Sequence, residues 1–391
     1  MTLDQLPADG PPAGTSRGQF LRRTAAVGLA AGVPGALLAE TATGARSRSP
    51  KAREKRERGL RCQITRILHL TVNVSDLDRA IEFYEATYPV TRAERINGPP
   101  QAFRGLGIEH GQFEGRVMRD SQDFPGRALQ LIQWKSPGPV GEPYKEANHV
   151  GYYRHHASAQ RSGLQARYEA ALAAGGRPYG PPSSIFVTPT ATVNAFAFRD
   201  PDGTTLEYTG PIEPNPDAPP DRLSAYNANC RDLSRSFPFY RDVVGMDFTS
   251  RLNPVDPQPP TSGSLGDTLR NPDGTLYDGL IDYDAAILGL GADNRNPIDL
   301  LEWEMPRPFG QPYARANNLG TTTSAFEVYD VWESYKILVR ALRKPHRSIM
   351  APPEEWDMGE FGTHKVLTFR DPDGILIQLY ERPAVTAEEP V

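Results

Sequence analysis

The chain has 391 residues, of which 38% are hydrophobic and 23% are charged, and its net charge is -5. This length allows two to three domains, and the composition is that of a soluble globular protein. The negative charge gives no sign of a nucleic-acid-binding surface. Two cysteines, Cys62 and Cys230, are too few for a disulfide scaffold, so we expect two free buried thiols, with a single bridge between the halves of the chain as the alternative.

The N-terminal segment has the composition of an export signal. Residues 16–23 are basic, residues 24–39 form an apolar run rich in Ala and Gly, and small residues near Ala39, Ala42 and Ala45 offer cleavage sites. The run is too short and too weakly apolar for a membrane span, so we predict a signal peptide over residues 1–45 and no stable membrane insertion. Residues 46–61 are predicted to be a charged linker.

The signal resembles a twin-arginine signal, which exports folded proteins, although Gly18 stands where the second arginine is expected. The resemblance implies a protein exported, already folded, to the periplasm or the extracellular space. The alternative is a disordered cytoplasmic tail.

Internal repeats divide the rest of the chain. VSDLDRAIEFY at 74–84 recurs as CRDLSRSFPFY at 230–240, QLIQW at 130–134 as DLLEW at 299–303, and FRDPDG at 198–203 unchanged at 369–374. In both copies of the first repeat an Asp or Ser is placed to cap a helix, and Pro-Asp-Gly in the third predicts a tight turn. The repeats predict four modules near 62–136, 146–211, 220–306 and 316–383, with module helices at 163–174 and 331–342 in the second and fourth.

Four polar residues interrupt apolar runs that are typical of strands. They are His69, Gln130, His149 and Glu207. A neutral imidazole or a carboxylate inside a sheet is costly unless it is paired or binds a cation. Two imidazoles, one carboxylate and one amide oxygen are a suitable set for one divalent metal ion, so these residues are the predicted metal ligands; Fe²⁺, Mn²⁺, Zn²⁺, Co²⁺ and Ni²⁺ remain open.

The chain resembles the vicinal oxygen chelate superfamily, which contains glyoxalases, extradiol dioxygenases, methylmalonyl-CoA epimerases and antibiotic-resistance proteins. The resemblance covers about residues 62–383 and depends on three motifs: His69 with SDLDRA at 75–80 and Phe83-Tyr84, Asn148-His149, and DPDG at 200–203 with Glu207. It implies an α+β fold of tandem glyoxalase-like domains, in which four βαβββ modules form two cupped mixed sheets.

We therefore expect a metal-binding domain over 62–211, a linker over 212–219, a second domain over 220–383 and a tail over 384–391. A Pro- and Gly-rich insertion falls at 253–267. Counted from the shared Asp-Leu-x-Arg, the four candidate ligands align with Ala225, Asp299, Asn318 and Gln378 in the second half. This asymmetry predicts one metal site, enclosed by the first half alone, and a supporting second half. Asp299 is interpreted as a hydrogen-bonded sheet residue.

The resemblance implies a metal-dependent enzyme that acts on a small oxygen-chelating substrate. The ligand set resembles that of methylmalonyl-CoA epimerases, which implies glyoxalase- or epimerase-like proton transfer through a metal-stabilised enolate. Glu207 is a candidate ligand and base, and strand alternation predicts that Tyr153 and His155 share the face of His149 as acid–base groups. For Tyr153 the alternative is packing, and for His155 a surface position.

Two other functions stay open. The first is an Fe(II) extradiol dioxygenase that uses His69, His149 and Glu207. Against it, Ala197 stands where such enzymes carry a Tyr, and the candidate site is in the first half instead of the second. The second is non-catalytic small-molecule binding, as in resistance proteins of the superfamily. The predicted partners are a small-molecule substrate and a second copy in a homodimer.

Overall fold

The computed structural model describes residues 61–122, 128–188, 191–252, 257, 268–290, 297–342 and 345–382. The predicted signal peptide, nearly all of the linker and most of the 253–267 insertion lie outside these residues. Within the described residues, no helix is both long enough and apolar enough to cross a membrane.

The described residues of the first half form ten strands and two helices. The first module supplies β1 (Ile64–Asn73), α1 (Leu77–Thr87), β2 (Val90–Ile96), β3 (Gln101–Phe103), β4 (Ile108–Asp120) and β5 (Ala128–Ser136), with a 3-10 turn at Arg104–Leu106. The second supplies β6 (Gly151–Ser158), α2 (Leu164–Ala173), β7 (Arg177–Pro178), β8 (Ser183–Thr188), β9 (Ala191–Arg199) and β10 (Thr205–Thr209).

The second half repeats this plan with eight described strands. The third module supplies β11 (Arg222–Cys230), α3 (Leu233–Pro238), a π-helical turn (Phe239–Val244), β12 (Asp247–Leu252), β13 (Asp282–Gly289) and β14 (Ile298–Met305). The fourth supplies β15 (Gly320–Val328), α4 (Val331–Ala341), α5 (Pro345–Ser348), β16 (Glu354–Asp357), a 3-10 turn (Gly359–Phe361), β17 (Thr363–Arg370) and β18 (Leu376–Glu381). The α+β class, the four modules and the helices expected at 163–174 and 331–342 are confirmed.

The modules pair differently from the prediction. One sheet has the order β16-β17-β18-β15-β1-β5-β4-β2, with β3 on β4, so it combines the first and fourth modules. The other has the order β12-β13-β14-β11-β6-β10-β9-β7, with β8 on β9, and combines the second and third. The expectation that the first half closes its own sheet was wrong, because β1 pairs with β15 and β6 pairs with β11.

Aspartate side chains cap α1, α3 and α4, and the repeat predicts two of these caps, at Asp76 and Asp232. The Asp76 side chain accepts a hydrogen bond from Arg79 N at 3.1 Å, and the Asp330 side chain accepts from the backbone N of Trp332 and Glu333. These bonds satisfy N–H groups that a helix leaves without partners in its first turn. The repeat therefore identifies the residues that cap α1 and α3, whereas the sequence analysis did not single out Asp330, which caps α4.

The Pro-Asp-Gly turns join modules that form different sheets. Asp202, in the turn before β10, accepts hydrogen bonds from Ser75 N at 2.7 Å and Ser75 Oγ at 2.6 Å, and an ion pair with Arg79 at 2.6 Å adds to them. Gly203 follows with φ 106°, a conformation that favours glycine. The turn thus fastens the second module to the start of α1 in the first.

The main apolar core lies where the two sheets meet and under the helices. It contains buried aromatic side chains from all four modules, including Tyr84, Tyr208, Tyr240 and Phe326. Tyr152 and Ser324 connect the sheets through a 2.6 Å hydrogen bond between their hydroxyl groups. Two smaller apolar clusters lie on the opposite, inner faces of the sheets, one in each cup. A functional site in this fold is expected in those cups.

Candidate functional site

A β-bulge in β6 decides which side chains enter the cup of the second sheet. The β6–β11 register passes from the pair His155–Tyr226 to the pair Tyr152–Ala228, so β6 has one extra residue there. A bulge turns two successive side chains to the same face. Tyr152 consequently lies in the core, while Tyr153 joins the apolar cluster of the cup. Arg154, next to it, also reaches into this cup.

The inner face of the second sheet carries a group of residues with ionisable side chains that we name the charged cup: Arg154, His156, Glu207 and Asp299. Glu207 lies opposite His156 in the parallel pair β6–β10. Its carboxylate forms an ion pair with Arg154, and its Oε1 lies 2.9 Å from His156 Nδ1. The Glu207 side chain is only 3% exposed, so this pairing compensates for the burial of its charge.

Asp299 is the second carboxylate of the charged cup. Asn227, its neighbour on β11, places Nδ2 3.4 Å from Oδ2 of Asp299, while Oδ1 is buried and has no hydrogen-bond partner among the described residues. Burial raises the pKa of Asp299, and the nearby charges of His156 and Arg154 partly oppose this rise. The cup therefore holds two carboxylates in different settings: Glu207, which two partners engage, and Asp299, with one free acceptor.

The inner face of the first sheet is neutral and aromatic, and we name it the aromatic cup: Gln130, Trp134, Trp356, Gln378 and Tyr380, with His69 beside them. Gln130 Oε1 accepts a hydrogen bond from Thr71 Oγ1 at 3.2 Å. The rings of His69 and Tyr380 lie 5.6 Å apart. Burial, followed by the nearby His364, lowers the pKa of His69 to about 3, so its ring is neutral.

The structure does not bring the four predicted metal ligands together. His69 and Gln130 lie in the aromatic cup, and Glu207 lies in the charged cup of the other sheet. His149 lies just before β6, and its ring stacks on Tyr144 with the ring centres 3.9 Å apart. The prediction of a single four-residue site was wrong, because the first and second modules, which supply these residues, belong to different sheets.

Of the two predicted acid–base residues, only Tyr153 lies in a cup. Its side chain is buried, and burial raises its pKa well above the usual range. His155 was expected on the same face, but the bulge turns it to the core, where its ring lies near Tyr88 and Tyr226. Burial lowers the pKa of His155 to about 3. In that position His155 has no access to a substrate in the cup.

A divalent ion does not fit the residues as they stand. Among the described residues, no three His, Cys, Asp or Glu side chains come together in a way that could hold a metal ion. In the charged cup the Arg154 guanidinium engages the Glu207 carboxylate, and its positive charge would repel a cation there. The arrangement instead supplies a fixed positive group beside an aspartate with a raised pKa.

Sequence reasoning missed Arg154, His156 and the role of Asp299. The repeat contained a usable signal: if Gly151 and Gly320 are aligned, Arg154 matches Thr323, His156 matches Ala325 and Glu207 matches Gln378. Glu207 and His156 also pair directly, as Gln378 and Ala325 do. All three of these residues of the second module have ionisable side chains, and their counterparts in the fourth do not, which marks one cup as different from the other.

The comparisons with known proteins agree with this architecture. The model of the Glyoxalase/Bleomycin resistance protein/Dioxygenase superfamily matches residues 66–208 and 222–379. A mutant of glyoxalase I from Zea mays has a similar structure, with a TM-score of 0.50 and 16% identity over 81% of this chain and 93% of that chain. No curated protein matches the sequence. At this identity the structural similarity shows the fold.

Two further solved structures also match. A putative dioxygenase from Bacillus subtilis subsp. subtilis str. 168 gives a TM-score of 0.48 at 13% identity, over 83% of this chain and 87% of that one. The Mn(II)-bound glyoxalase from Novosphingobium aromaticivorans gives 0.24 at 13% identity, over 82% of this chain and 83% of that chain.

Proposed function

The chain belongs to the glyoxalase/bleomycin resistance protein/dioxygenase superfamily, and on this premise we propose that it is an enzyme whose reaction takes place in the charged cup. The reaction is proton transfer next to a carbonyl group of a small, oxygen-bearing substrate. The reaction type is the one expected from the sequence, but the proposed residues are different: Arg154 of the second module and Asp299 of the third.

The observation that carries the proposal is the state of Asp299. Its Oδ1 is a buried acceptor that has no hydrogen-bond partner among the described residues. An unsatisfied buried acceptor costs free energy, and a substrate or water that donates to it removes that cost. Burial raises its pKa, which makes the carboxylate a stronger base than an exposed aspartate. Asp299 is therefore the proposed proton carrier.

Arg154 is the proposed partner of the negative charge that develops on the substrate. When the Asp299 carboxylate takes a proton from the carbon next to the carbonyl, the electron pair of that C–H bond moves into an enolate, and its charge rests on oxygen. A fixed cation in a partly dry site stabilises such an oxyanion strongly. Glu207 holds Arg154 and His156 in place and acts as a positioning residue. The Asp299 proton then returns to carbon.

The metal-dependent form of this reaction, expected from the sequence, is tested by the same assay. Under our proposal Arg154 supplies the positive charge that stabilises the enolate. A chelator should then leave the rate unchanged. A rate that depends on added Mn²⁺ or Zn²⁺ would instead support a metal-dependent reaction.

The experiment is deuterium exchange. The purified chain is incubated in D₂O with pyruvate, hydroxypyruvate, acetoacetate and dihydroxyacetone, and the loss of the C–H signals is followed by proton NMR, with and without EDTA. We expect enzyme-dependent exchange with at least one of these compounds. Asp299→Asn should slow it about 100-fold or more, the range for loss of a general base.

Asp282→Asn is the matched control, because burial also raises the pKa of this aspartate, which begins β13 outside the charged cup. It should exchange at the wild-type rate. Absence of exchange with all four compounds, or undiminished exchange in Asp299→Asn, would refute the proposal.

The dioxygenase alternative has less support. It needs His69, His149 and Glu207 around one iron. His69 lies in the cup of the first sheet, Glu207 lies in the cup of the second, and the His149 ring is stacked on Tyr144. Oxygen uptake with catechols in the presence of Fe(II) is expected to stay at the level of the protein-free control.

Export remains a proposal that rests on the sequence of residues 1–45. Their basic, apolar and small-residue order supports secretion of the chain and removal of the segment. N-terminal sequencing of the secreted protein should begin near residue 40 to 46, and a secreted protein that begins at Met1 would contradict cleavage.

A further inference from the structure

We infer that the two ends of the first sheet are joined by a polar clasp, which opens as one unit and lets solvent reach the inner face of that sheet. The clasp consists of two segments. The first is residues 97–106, which contain β3 and the 3-10 turn after it, and the second is residues 354–361, which contain β16 and the 3-10 turn that follows. The inference concerns a movement of the fold and does not depend on the reaction proposed for the charged cup.

The two segments come from opposite ends of the sheet. β2 and β16 are the outermost strands in the order β16-β17-β18-β15-β1-β5-β4-β2, and β3 pairs with β4. In the part of the chain that the structure describes, no strand pairing connects β2 or β3 with β16. The sheet is therefore closed at this point by the contacts of the clasp, without a ladder of backbone hydrogen bonds.

Side chains of each segment bind the backbone of the other. Gln101 Nε2 donates to Asp357 O at 2.6 Å, and Asp357 N donates to Gln101 Oε1 at 3.0 Å. The Glu354 carboxylate accepts hydrogen bonds from Arg104 N at 3.2 Å and from Gly105 N at 2.8 Å. Because water competes for such groups, each bond contributes only modestly, and the closed clasp depends on several of them at once.

The closed clasp also requires two glycines. Glu360 N donates to Asn97 Oδ1 at 3.0 Å, and a side-chain carbon added to Gly359 would collide with that oxygen. A side-chain carbon added to Gly98 would collide with Asp357 O. Gly359 has φ 66°, a conformation that favours glycine. The backbones of the two segments thus approach closely in one defined arrangement.

Opposing contributions act on the inner side of the clasp. Phe103 and Trp356, one from each segment, are buried with their ring centres 5.1 Å apart, and this contact favours closure. Gln130 Nε2, Trp134 Nε1 and Trp356 Nε1 are buried there and have no hydrogen-bond partner among the described residues. Buried polar atoms without protein partners raise the free energy of the closed form, and opening gives water free access to them.

Hydrogen–deuterium exchange of the full chain, read at single amides by mass spectrometry, tests whether the clasp opens as one unit. Gln101→Ala removes the bonds to Asp357, and exchange should also become faster at Glu360, whose N–H Gln101 does not bind. Glu354→Ala should likewise speed exchange at Asn97. We expect an acceleration of about fivefold or more in each case, which is the effect of losing about one hydrogen bond.

Thiol labelling tests whether opening exposes the inner face. Ala325→Cys places a thiol in the buried apolar cluster of the aromatic cup, whereas Cys62 and Cys230 are buried in the main core. Iodoacetamide should label the introduced thiol faster than these two cysteines. Adding Gln101→Ala should raise its labelling rate about fivefold or more.

Glu355→Ala is the matched control. Glu355 is exposed on β16 next to Glu354 and makes no hydrogen bond to residues 97–106 among those described, so both rates should stay at the wild-type value. Three outcomes would overturn the inference: no acceleration in the opposite segment in either clasp variant, the same acceleration in Glu355→Ala, or labelling of the introduced thiol no faster than that of Cys62 and Cys230. The last result would mean that the cup opens only when the whole protein unfolds.

Discussion

Glu207 and Gln378 occupy the same position in the two sheets: Glu207 lies opposite His156 on β6, and Gln378 lies opposite Ala325 on β15. In one cup this position holds a carboxylate between an imidazole and a guanidinium, and in the other a neutral amide beside a methyl group. The two sheets share a backbone plan and differ in the chemistry of their inner faces. The predictions below use that difference.

Glu207→Gln should destabilise the protein strongly. The change leaves the Arg154 guanidinium buried without this carboxylate, and breaking a buried ion pair on one side costs about 3–5 kcal/mol. Gln378→Leu is the matched change in the other sheet and should cost about 1 kcal/mol, since only weak neutral hydrogen bonds are lost. Urea unfolding of both variants measures the difference. Equal losses would show that the ion pair gives no special stabilisation.

His149→Phe should retain both stability and exchange activity. The ring of His149 stacks on Tyr144 and lies 5.7 Å from the Phe309 ring, contacts that a phenyl group can reproduce. We expect the exchange rate within about twofold of the wild type and an unfolding free energy changed by about 1 kcal/mol or less. A joint loss of bound metal and exchange activity in this variant would instead support the metal set expected from the sequence.

His155 should make the protein less stable at low pH. Burial lowers its folded-state pKa from 6.5 to about 3. Below about pH 6.5 the unfolded chain therefore binds a proton that the folded chain excludes, and stability falls as the pH drops toward 3.

His155→Phe removes this group and keeps a ring between Tyr88 and Tyr226. As the pH is lowered from 6 to 4, the unfolding free energy of the variant relative to that of the wild type should rise by about 1.4 kcal/mol for each pH unit. Asp200 and Asp371 also titrate near this range, but they are present in both proteins and cancel in the difference. A pH-independent difference would contradict the burial of a neutral ring.

Much of the fold could be predicted from the sequence, because its signals are local. The Asp residues that cap α1 and α3 act within one helical turn, and Pro-Asp-Gly sets a turn wherever it occurs, so both are visible in a short window. The pairing of modules is not local. Both halves present similar strand edges, and nothing near β1 in the sequence distinguishes β15 from β6 as its neighbour.

The site was harder to predict, and one residue shows why. Strand alternation assigned His155 to the cup, and a single extra residue in β6 reversed that assignment and brought Arg154 in. The polar interruptions at His69, Gln130 and Glu207 were correctly recognised as unusual, and all three are buried and face a cup. What the sequence could not supply was which of them face one another.

The two halves of the chain should be soluble only together. Residues 61–211 alone contain β1 and β6 without β15 and β11, and this leaves two long, unpaired strand edges with buried side chains exposed. Expressed separately, 61–211 and 212–382 should aggregate. Expressed together, they should co-purify as a one-to-one complex on a tag carried by one half. A soluble, monomeric 61–211 fragment with native-like circular dichroism would show that a half closes its own sheet after all.

The partnership of β1 with β15 also determines when the protein can fold. Ile64 lies opposite Val328, so β1, which is synthesised early, can pair only after the ribosome has reached β15, more than 250 residues later. Contacts between such distant parts of a chain slow folding and leave apolar edges open in the meantime. The sheet of the second and third modules, whose strands follow one another in the chain, can close earlier. During synthesis the charged cup should therefore form while the strands of the aromatic cup are still incomplete, and a chaperone that holds newly made chains should bind the first module longest.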